Sequence, residues 1–411
     1  MSATVETQPL EHRSPSPSPL EAARALREVL ASHAAADDDA RRLVPASVSA
    51  LHGAGLFGLG APVEFGGAGA DLRTIARVGA ELARGCGACG WITSFSAASA
   101  TMLDVFDPRA RADVWAEGPD VPLAVSLAPA GTAQRLGDSH VLRGSWSWVT
   151  GVHHARWVLL AATVVDEAGE NDPHPVPGPP RVLVALVPAA ELSVRSTWFT
   201  AGMRGTGSDT VSAEDLVVPA HRTAPLQALL TGLPVPVAGV PSPRPRRTAT
   251  ATALAPTIAG PIVGMARSAL DVAQEIALRK PMSMSPYSRL ADAPSVQLAV
   301  ADAARLVDTA ELHLLRAADD LDAVPRTGPL SPTTQARVRM DIGTVATCSQ
   351  QAVELLVNVC GAGSVLDGTA LQRIWRDVST ATRHALLNPG YAREVYGRAL
   401  LGLPGLPGAP A

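Results

Sequence analysis

The sequence predicts an α+β multidomain protein: an N-terminal helical domain, a central antiparallel β-barrel domain and a C-terminal four-helix bundle. Three observations predict it. Apolar residues recur at spacings of three and four up to about residue 120 and again from about 251, whereas short strand-like runs fill the stretch between. Turn clusters and a Pro-rich segment separate the blocks. The chain has 411 residues, 47% hydrophobic and 18% charged, enough for two or three cores and too apolar for a disordered chain.

Residues 1–19, polar and rich in Ser and Pro, read as a disordered lead with no signal-peptide pattern. Over 20–120, Leu26, Val29, Leu30 and His33 mark one helix and Ile75, Val78, Gly79 and Leu82 another. LHGAGLFGLGAPVEFGGAGAD connects them; it contains G-x-x-G-x-G but has no βαβ unit around it, so it is not read as a dinucleotide fingerprint. Over 121–235 six runs (VPLAVSL, HVLRGSWSWV, RWVLLAATVV, RVLVALVP, LSVRSTWF and TVSAEDLVVP) follow one another without helices between them, which predicts a compact antiparallel barrel or sandwich. The polar insert DEAGENDPHPVPGPP reads as an exposed hairpin loop. A linker spans 236–250, long helices fill 251–402, and 403–411 reads as a disordered tail.

A formal net charge of −4 argues against nucleic acid or an anionic membrane as partner. The apolar run Ala251–Ala266 is shorter than the ~20 residues a membrane span needs and contains Pro256 and Pro261, so it reads as a buried bundle helix. Cys86 and Cys89 have C-x-x-C spacing, but no second pair or nearby His completes a metal set, and close helix packing explains the small residues around them. No metal is expected, and the cysteine usage fits a reducing cytoplasm.

Leu371–Asn388 follows a helical pattern and carries His384, and neither Asp nor Glu lies between Asp377 and Glu394. This stretch therefore offers an imidazole, able to take and give a proton near neutrality, and no acid.

The order helical block, β domain, helical bundle, together with AGLFGLGAPVEFGGAGAD, GSWSWVTGVHHARWVLL, GMRGTGSDTVSAEDLVVPAHRT, VCGAG and LQRIWRD, resembles the acyl-CoA dehydrogenase fold and its two-component flavin-dependent monooxygenase branch from about Ala22 to Leu401. The resemblance implies a flavin (FMN or FAD), with Trp148 and Thr150 in a Trp-hydrophobic-Thr motif at the isoalloxazine ring and the Thr150 hydroxyl beside N5. It implies that Arg279, Asn358 and Gly361 reach the cofactor across a subunit interface of a homotetramer. Ala362 stands where a second Gly is usual, and Pro294 where a Gln is frequent.

Acyl-CoA dehydrogenases of this fold use a Glu base at one of two positions. This chain has Leu254 at the first and STATRHALLN at the second, and no Asp or Glu occurs anywhere from Leu216 to Leu270. The α-proton of a thioester does not leave without a positioned base, so dehydrogenation is disfavoured. The oxygenase branch lacks that Glu. There the resemblance implies that reduced flavin from a separate reductase reacts with O2 to give a C4a-hydroperoxyflavin, which oxygenates a small electron-rich molecule, as in secondary metabolism. His384 and Thr150 would be catalytic, and Trp91 and His154 would border the substrate. An acyl-CoA dehydrogenase with an atypical base and a flavin-free, non-redox member of the fold remain as alternatives.

Overall fold

The computed structural model describes residues 17–165, 181–231, 250–327 and 330–406. The expected lead over 1–16, the hairpin insert over 166–180, most of the linker and the end of the tail lie outside the described residues.

Five helices come first: α1 (Pro19–Ala40), α2 (Pro45–Gly53), α3 (Leu72–Gly85), α4 (Gly87–Met102) and α5 (Pro108–Val114). Local chemistry sets their starts. Ser18 caps α1 in a capping box with Glu21, with Pro19 in its first turn, and the Asp71 side chain caps α3 by accepting from the Thr74 N–H. Helix α4 is apolar or small almost throughout and is buried on nearly every face. That all-round burial marks a central helix rather than an amphipathic surface one.

The middle of the chain forms one sheet of eight strands: β1 (Leu123–Ser126), β2 (Gly131–Leu136), β3 (Ser139–Val149), β4 (Trp157–Val165), β5 (Val182–Pro188), β6 (Ser193–Arg195), β7 (Asp209–Pro219) and β8 (Thr223–Pro225). The path runs β6-β7-β3-β2-β4-β5-β8, with β1 also on β4. Most pairings are antiparallel as expected, but β1 and β2 both pair β4 in parallel. They lie one after the other along the same edge of β4, which a simple meander would not produce. The path ends at β6 and β8, with no pairing between these two among the described residues. Two strands give no clear signal in the sequence: GTAQRL of β2 is half polar and largely uncovered, and β8 has only three residues.

After α6 (Leu226–Thr231) comes the bundle: α7 (Thr250–Arg279), α8 (Pro294–Thr327), α9 (Pro332–Cys360), α10 (Ala370–Ala381) and α11 (Pro389–Leu400). Helix α7 continues through Pro256 and Pro261, so it is longer than the apolar run suggests. By length and composition Ala253–Arg279 passes for a membrane span, yet 83% of its apolar window is buried inside the protein. Close approach to α3 explains its glycines: a Cβ on Gly264 would stand 2.0 Å from the Ala80 carbonyl oxygen, and one on Gly260 2.2 Å from that of Ala76. One core cluster joins α3, α4, the β4–β5 face and α7–α10, which makes the helical blocks and the sheet a single packed body around α4 and α7.

Candidate active site

Helix α4 is the common wall of the site. On one side Ile92 meets the turn after β3, where a Cβ on Gly151 would lie 3.0 Å from its Cγ2. One position back, Trp91 turns with Phe95 toward the C-terminal stretch. Their rings stand 5.3 Å apart and both meet the His384 ring edge-on, at 6.1 Å from Trp91 and 5.8 Å from Phe95. Trp91 and His384 are therefore brought together. Phe95 is a member of the site that the motifs do not mark, although its place one helical turn from Trp91 makes it legible.

His384 does not lie in a helix. Helix α10 stops at Ala381, and the imidazole Nδ1 accepts the Leu386 N–H at 3.3 Å, capping a short 3-10 turn, Ala385–Leu387. The expected helical pattern across Leu371–Asn388 thus breaks at the residue of interest, which frees the ring to point away from the helix axis. With Nδ1 accepting, the neutral ring carries its proton on Nε2. Burial lowers the pKa of His384 to about 4, so at neutral pH it is uncharged.

Thr150 is buried beside the end of β3, and its hydroxyl lies 3.1 Å from Ser208 Oγ. Trp148, two residues earlier, sits where the β3–β7 register shifts, at φ 62, with its side chain 74% exposed. A left-handed Trp is strained, and an exposed indole gains nothing from burial to offset that strain.

His154 lies in the turn that follows Thr150. Burial, followed by the charges of His153, Arg42 and His52, lowers its pKa to about 4, and its Nε2 is buried without a protein partner. Arg42 and His52 belong to α2 and the turn before it. His153 instead pairs with Asp209, at 2.6 Å, and the same carboxylate accepts the Thr197 and Trp198 N–H groups at 2.7 and 2.8 Å.

Arg279, Asn358 and Gly361 gather at one end of the bundle, all exposed. Their neighbour Lys280, which the motifs do not mark, donates from Nζ to the Cys360 carbonyl at 2.6 Å and so ties the end of α7 to the end of α9. Gly361 has φ 67 with ψ −166, a conformation that glycine alone adopts readily, and it leaves backbone exposed there.

Asp377 is a structural group. Its Oδ1 accepts the N–H of Met203, which stands at φ 53 in the β6–β7 connection, while Arg376 beside it pairs with Asp38 of α1 at 2.8 Å. Burial, then the nearby Asp38 charge, raise the Asp377 pKa to about 7 against the opposing Met203 N–H and Arg376 and Arg373 charges. A folded pKa above the unfolded value of about 4 means the native state binds the extra proton, so this group's destabilising effect grows as pH rises from about 4 to 7 and is constant above. Asp377→Asn keeps an acceptor for Met203 and cannot ionise. Its melting temperature relative to the parent should therefore climb between pH 4 and 7 and level off; a difference that does not change with pH would contradict the assignment.

Asp37, Cys86 and Cys89 bring one ligand atom each within 4.8 Å of one another. The Asp37 oxygens are already engaged by the Val44 N–H at 2.7 Å, the Ser47 hydroxyl at 2.9 Å and the Cys86 thiol at 3.4 Å, which fits a buried carboxylate joining α1, α2 and α4.

Residues 20–106 match the family described as acyl-CoA dehydrogenase, N-terminal domain, and residues 256–389 match acyl-CoA dehydrogenase, C-terminal domain. The chain is 30% identical over 381 residues to the flavin-dependent monooxygenase oxygenase subunit HsaA of Rhodococcus jostii (strain RHA1), covering 92% of this chain and 97% of that protein. It is 28% identical to the oxygenase component of an FADH2-dependent resorcinol hydroxylase from Rhizobium sp. (strain MTP-10005), over 92% of each. The structure of XiaF from Streptomyces sp. in complex with FADH2 and glycerol superposes with a TM-score of 0.85 at 32% identity, covering 94% of this chain and 97% of that one. The chain belongs to the flavin-dependent monooxygenases of the acyl-CoA dehydrogenase fold. It is the oxygenase component of a two-component system, an oxidoreductase that uses a flavin and works with a partner flavin reductase.

Proposed function

We propose that the substrate is a phenol or a similarly electron-rich aromatic, held between the flavin ring and the Trp91–Phe95–His384 cluster. The observation that carries this reading is the place of the His384 ring: edge-on to Trp91 and Phe95, with Nδ1 accepting the Leu386 N–H, which leaves Nε2 free to donate. A bound reduced flavin would supply the activated oxygen; the three side chains of the cluster hold and polarise the acceptor. A base whose conjugate acid has a pKa of about 4 is about six units too weak to take a proton from a phenol near 10. His384 is therefore read as a donor. Its Nε2–H favours the bound phenolate, the form with the most electron density for an electrophilic oxygen, and Trp91 and Phe95 keep water from competing.

Trp148 and Thr150 face the flavin ring, and His154 of the same turn borders the substrate. Arg279, Asn358 and Gly361 contact a flavin in a neighbouring subunit of a homotetramer. Exposed Leu298 and Leu312, about four turns apart on one face of α8, and Leu278 of α7 support such an assembly. Cytoplasmic location and a role in secondary metabolism complete the reading. The dehydrogenase alternative is weakened by Leu254, buried where that chemistry wants a carboxylate, and by the structural engagement of Asp377.

A single turnover with chemically reduced flavin and isotopically labelled O2, without reductase, tests it on a panel of phenols. Transfer of one labelled oxygen to a phenol is expected. Label in hydrogen peroxide alone for every phenol, with turnover of some other substrate class, would overturn the phenol assignment.

A further inference from the structure

Thr150 belongs to a chain of three buried hydroxyls whose hydrogen-bond directions can be assigned. Thr206 Oγ1 lies 2.8 Å from the Met203 carbonyl oxygen, an acceptor only, so the single Thr206 hydroxyl proton goes there. Ser208 Oγ lies 2.8 Å from Thr206 Oγ1, and with that proton committed the bond must use the Ser208 proton. Thr150 Oγ1 lies 3.1 Å from Ser208 Oγ, and with the Ser208 proton committed this bond must use the Thr150 proton. Each hydroxyl has one proton and all three are spent in the same direction, toward Met203. What Thr150 has left for a ligand is lone pairs.

The backbone holds this arrangement. Gly151 N–H donates to the Thr206 carbonyl at 3.0 Å, which locks the turn after β3 to the turn before β7. Gly207, between the two relay hydroxyls, has φ 50, and a Cβ there would stand 2.9 Å from the His153 ring. Thr150, Thr206 and Ser208 are 6%, 1% and 4% exposed, so solvent offers these hydroxyls little alternative.

We propose that Thr206 and Ser208 are positioning residues that fix Thr150 as a hydrogen-bond acceptor, and that this polarity makes the site prefer reduced over oxidised flavin. At N5, the atom Thr150 would face, the two redox states differ: it carries a proton when the flavin is reduced and presents a lone pair when it is oxidised. An acceptor facing N5 pairs with the first and repels the second. This rests on the reading that Thr150 faces N5. It gives a two-component oxygenase a physical means of taking reduced flavin from solution and releasing the oxidised form after each turnover.

The test is the ratio of dissociation constants for oxidised and reduced FMN, the latter measured anaerobically, together with the midpoint potential of the bound flavin. Thermal unfolding is recorded for every variant. Ser208→Ala and Thr206→Val release the Thr150 proton to turn toward N5, so the preference for reduced FMN should fall about tenfold, which for a two-electron couple is a potential about 30 mV lower. Thr206→Ser keeps the hydroxyl and should keep the parent ratio, an outcome that loss of packing alone would not give. Thr150→Val should weaken reduced FMN while sparing the oxidised form. If Thr150→Val alters neither constant, Thr150 does not face N5, and both the proposal and the reading beneath it fail. If Thr150→Val behaves as expected while Ser208→Ala and Thr206→Val keep the parent ratio, the relay is overturned and Thr150 retains its place.

Discussion

His384→Ala is expected to bind reduced flavin as the parent does, consume O2 at a similar rate, and release hydrogen peroxide in place of most of the product. The ring packs on Trp91 and Phe95, whereas Thr150 is held by Ser208, so loss of the imidazole leaves the proposed flavin wall intact. What disappears is a hydrogen bond to a charged oxygen, worth about 1.5–3 kcal/mol, or a ~10- to 150-fold drop in the rate of oxygen transfer. Two further comparisons sharpen the result. His384→Asn, which restores a side-chain N–H donor, should recover part of the lost coupling; His384→Asp, which offers only an acceptor, should not. The pH profile carries a sign as well. With a folded pKa of about 4 against about 6.5 unfolded, the group's favourable contribution to stability is complete above 6.5 and is lost as pH falls toward 4. The parent's coupling should be insensitive to His384 titration over about pH 6–8, so an inflection near 6.5 that vanishes in His384→Asn would count against the neutral donor.

Asp209→Ala is expected to produce the largest loss of stability among single substitutions around the site. One buried carboxylate receives His153 and two backbone N–H groups. Burial works against its ionisation, and the hydrogen bonds from His153, Thr197 and Trp198 outweigh that, holding its pKa below the usual carboxylate value. Truncation leaves two part-buried N–H donors and the half-buried imidazole without this partner, a cost of about 2–4 kcal/mol. Asp209 holds the β6–β7 connection through Thr197 and Trp198 and reaches the turn carrying Thr150 through His153, so its loss loosens both. Chemical unfolding should show the loss, with flavin affinity falling alongside it. Asp209→Asn keeps one acceptor oxygen and should cost less than half as much. A depressed carboxylate pKa also means that the stability it lends is present above about 4 and is lost in acid, so the gap between parent and variant should narrow there.

Period changes in the apolar pattern are enough to read three blocks and their order, because helices and half-buried strands bury apolar residues at different spacings. The parallel pairings of β1 and β2 on β4 are not legible: register and direction come from contacts between strands far apart in sequence, and the polar β2 carries no apolar signal. At the site, His384 and Trp91 both stand out in the sequence, but only the fold shows that their rings meet. The break of α10 before His384 is hidden, because STATRHALLN keeps a helix-compatible composition while the imidazole itself caps the next turn. Asp209 and the Thr206–Ser208 pair lie within GTGSDT without a signal of their own, since short polar residues acquire a role only through partners supplied by the β3 turn.

The most direct measurement is the apparent pKa of a phenol bound to the enzyme–reduced flavin complex under anaerobic conditions, read from its phenolate absorbance in the parent and in His384→Ala. A hydrogen bond from the His384 Nε2–H should hold that pKa at least one unit below the free phenol's in the parent, and it should return most of the way to the free value in the variant. Equal values for bound and free phenol, or the same depression in both proteins, would contradict the donor role of His384.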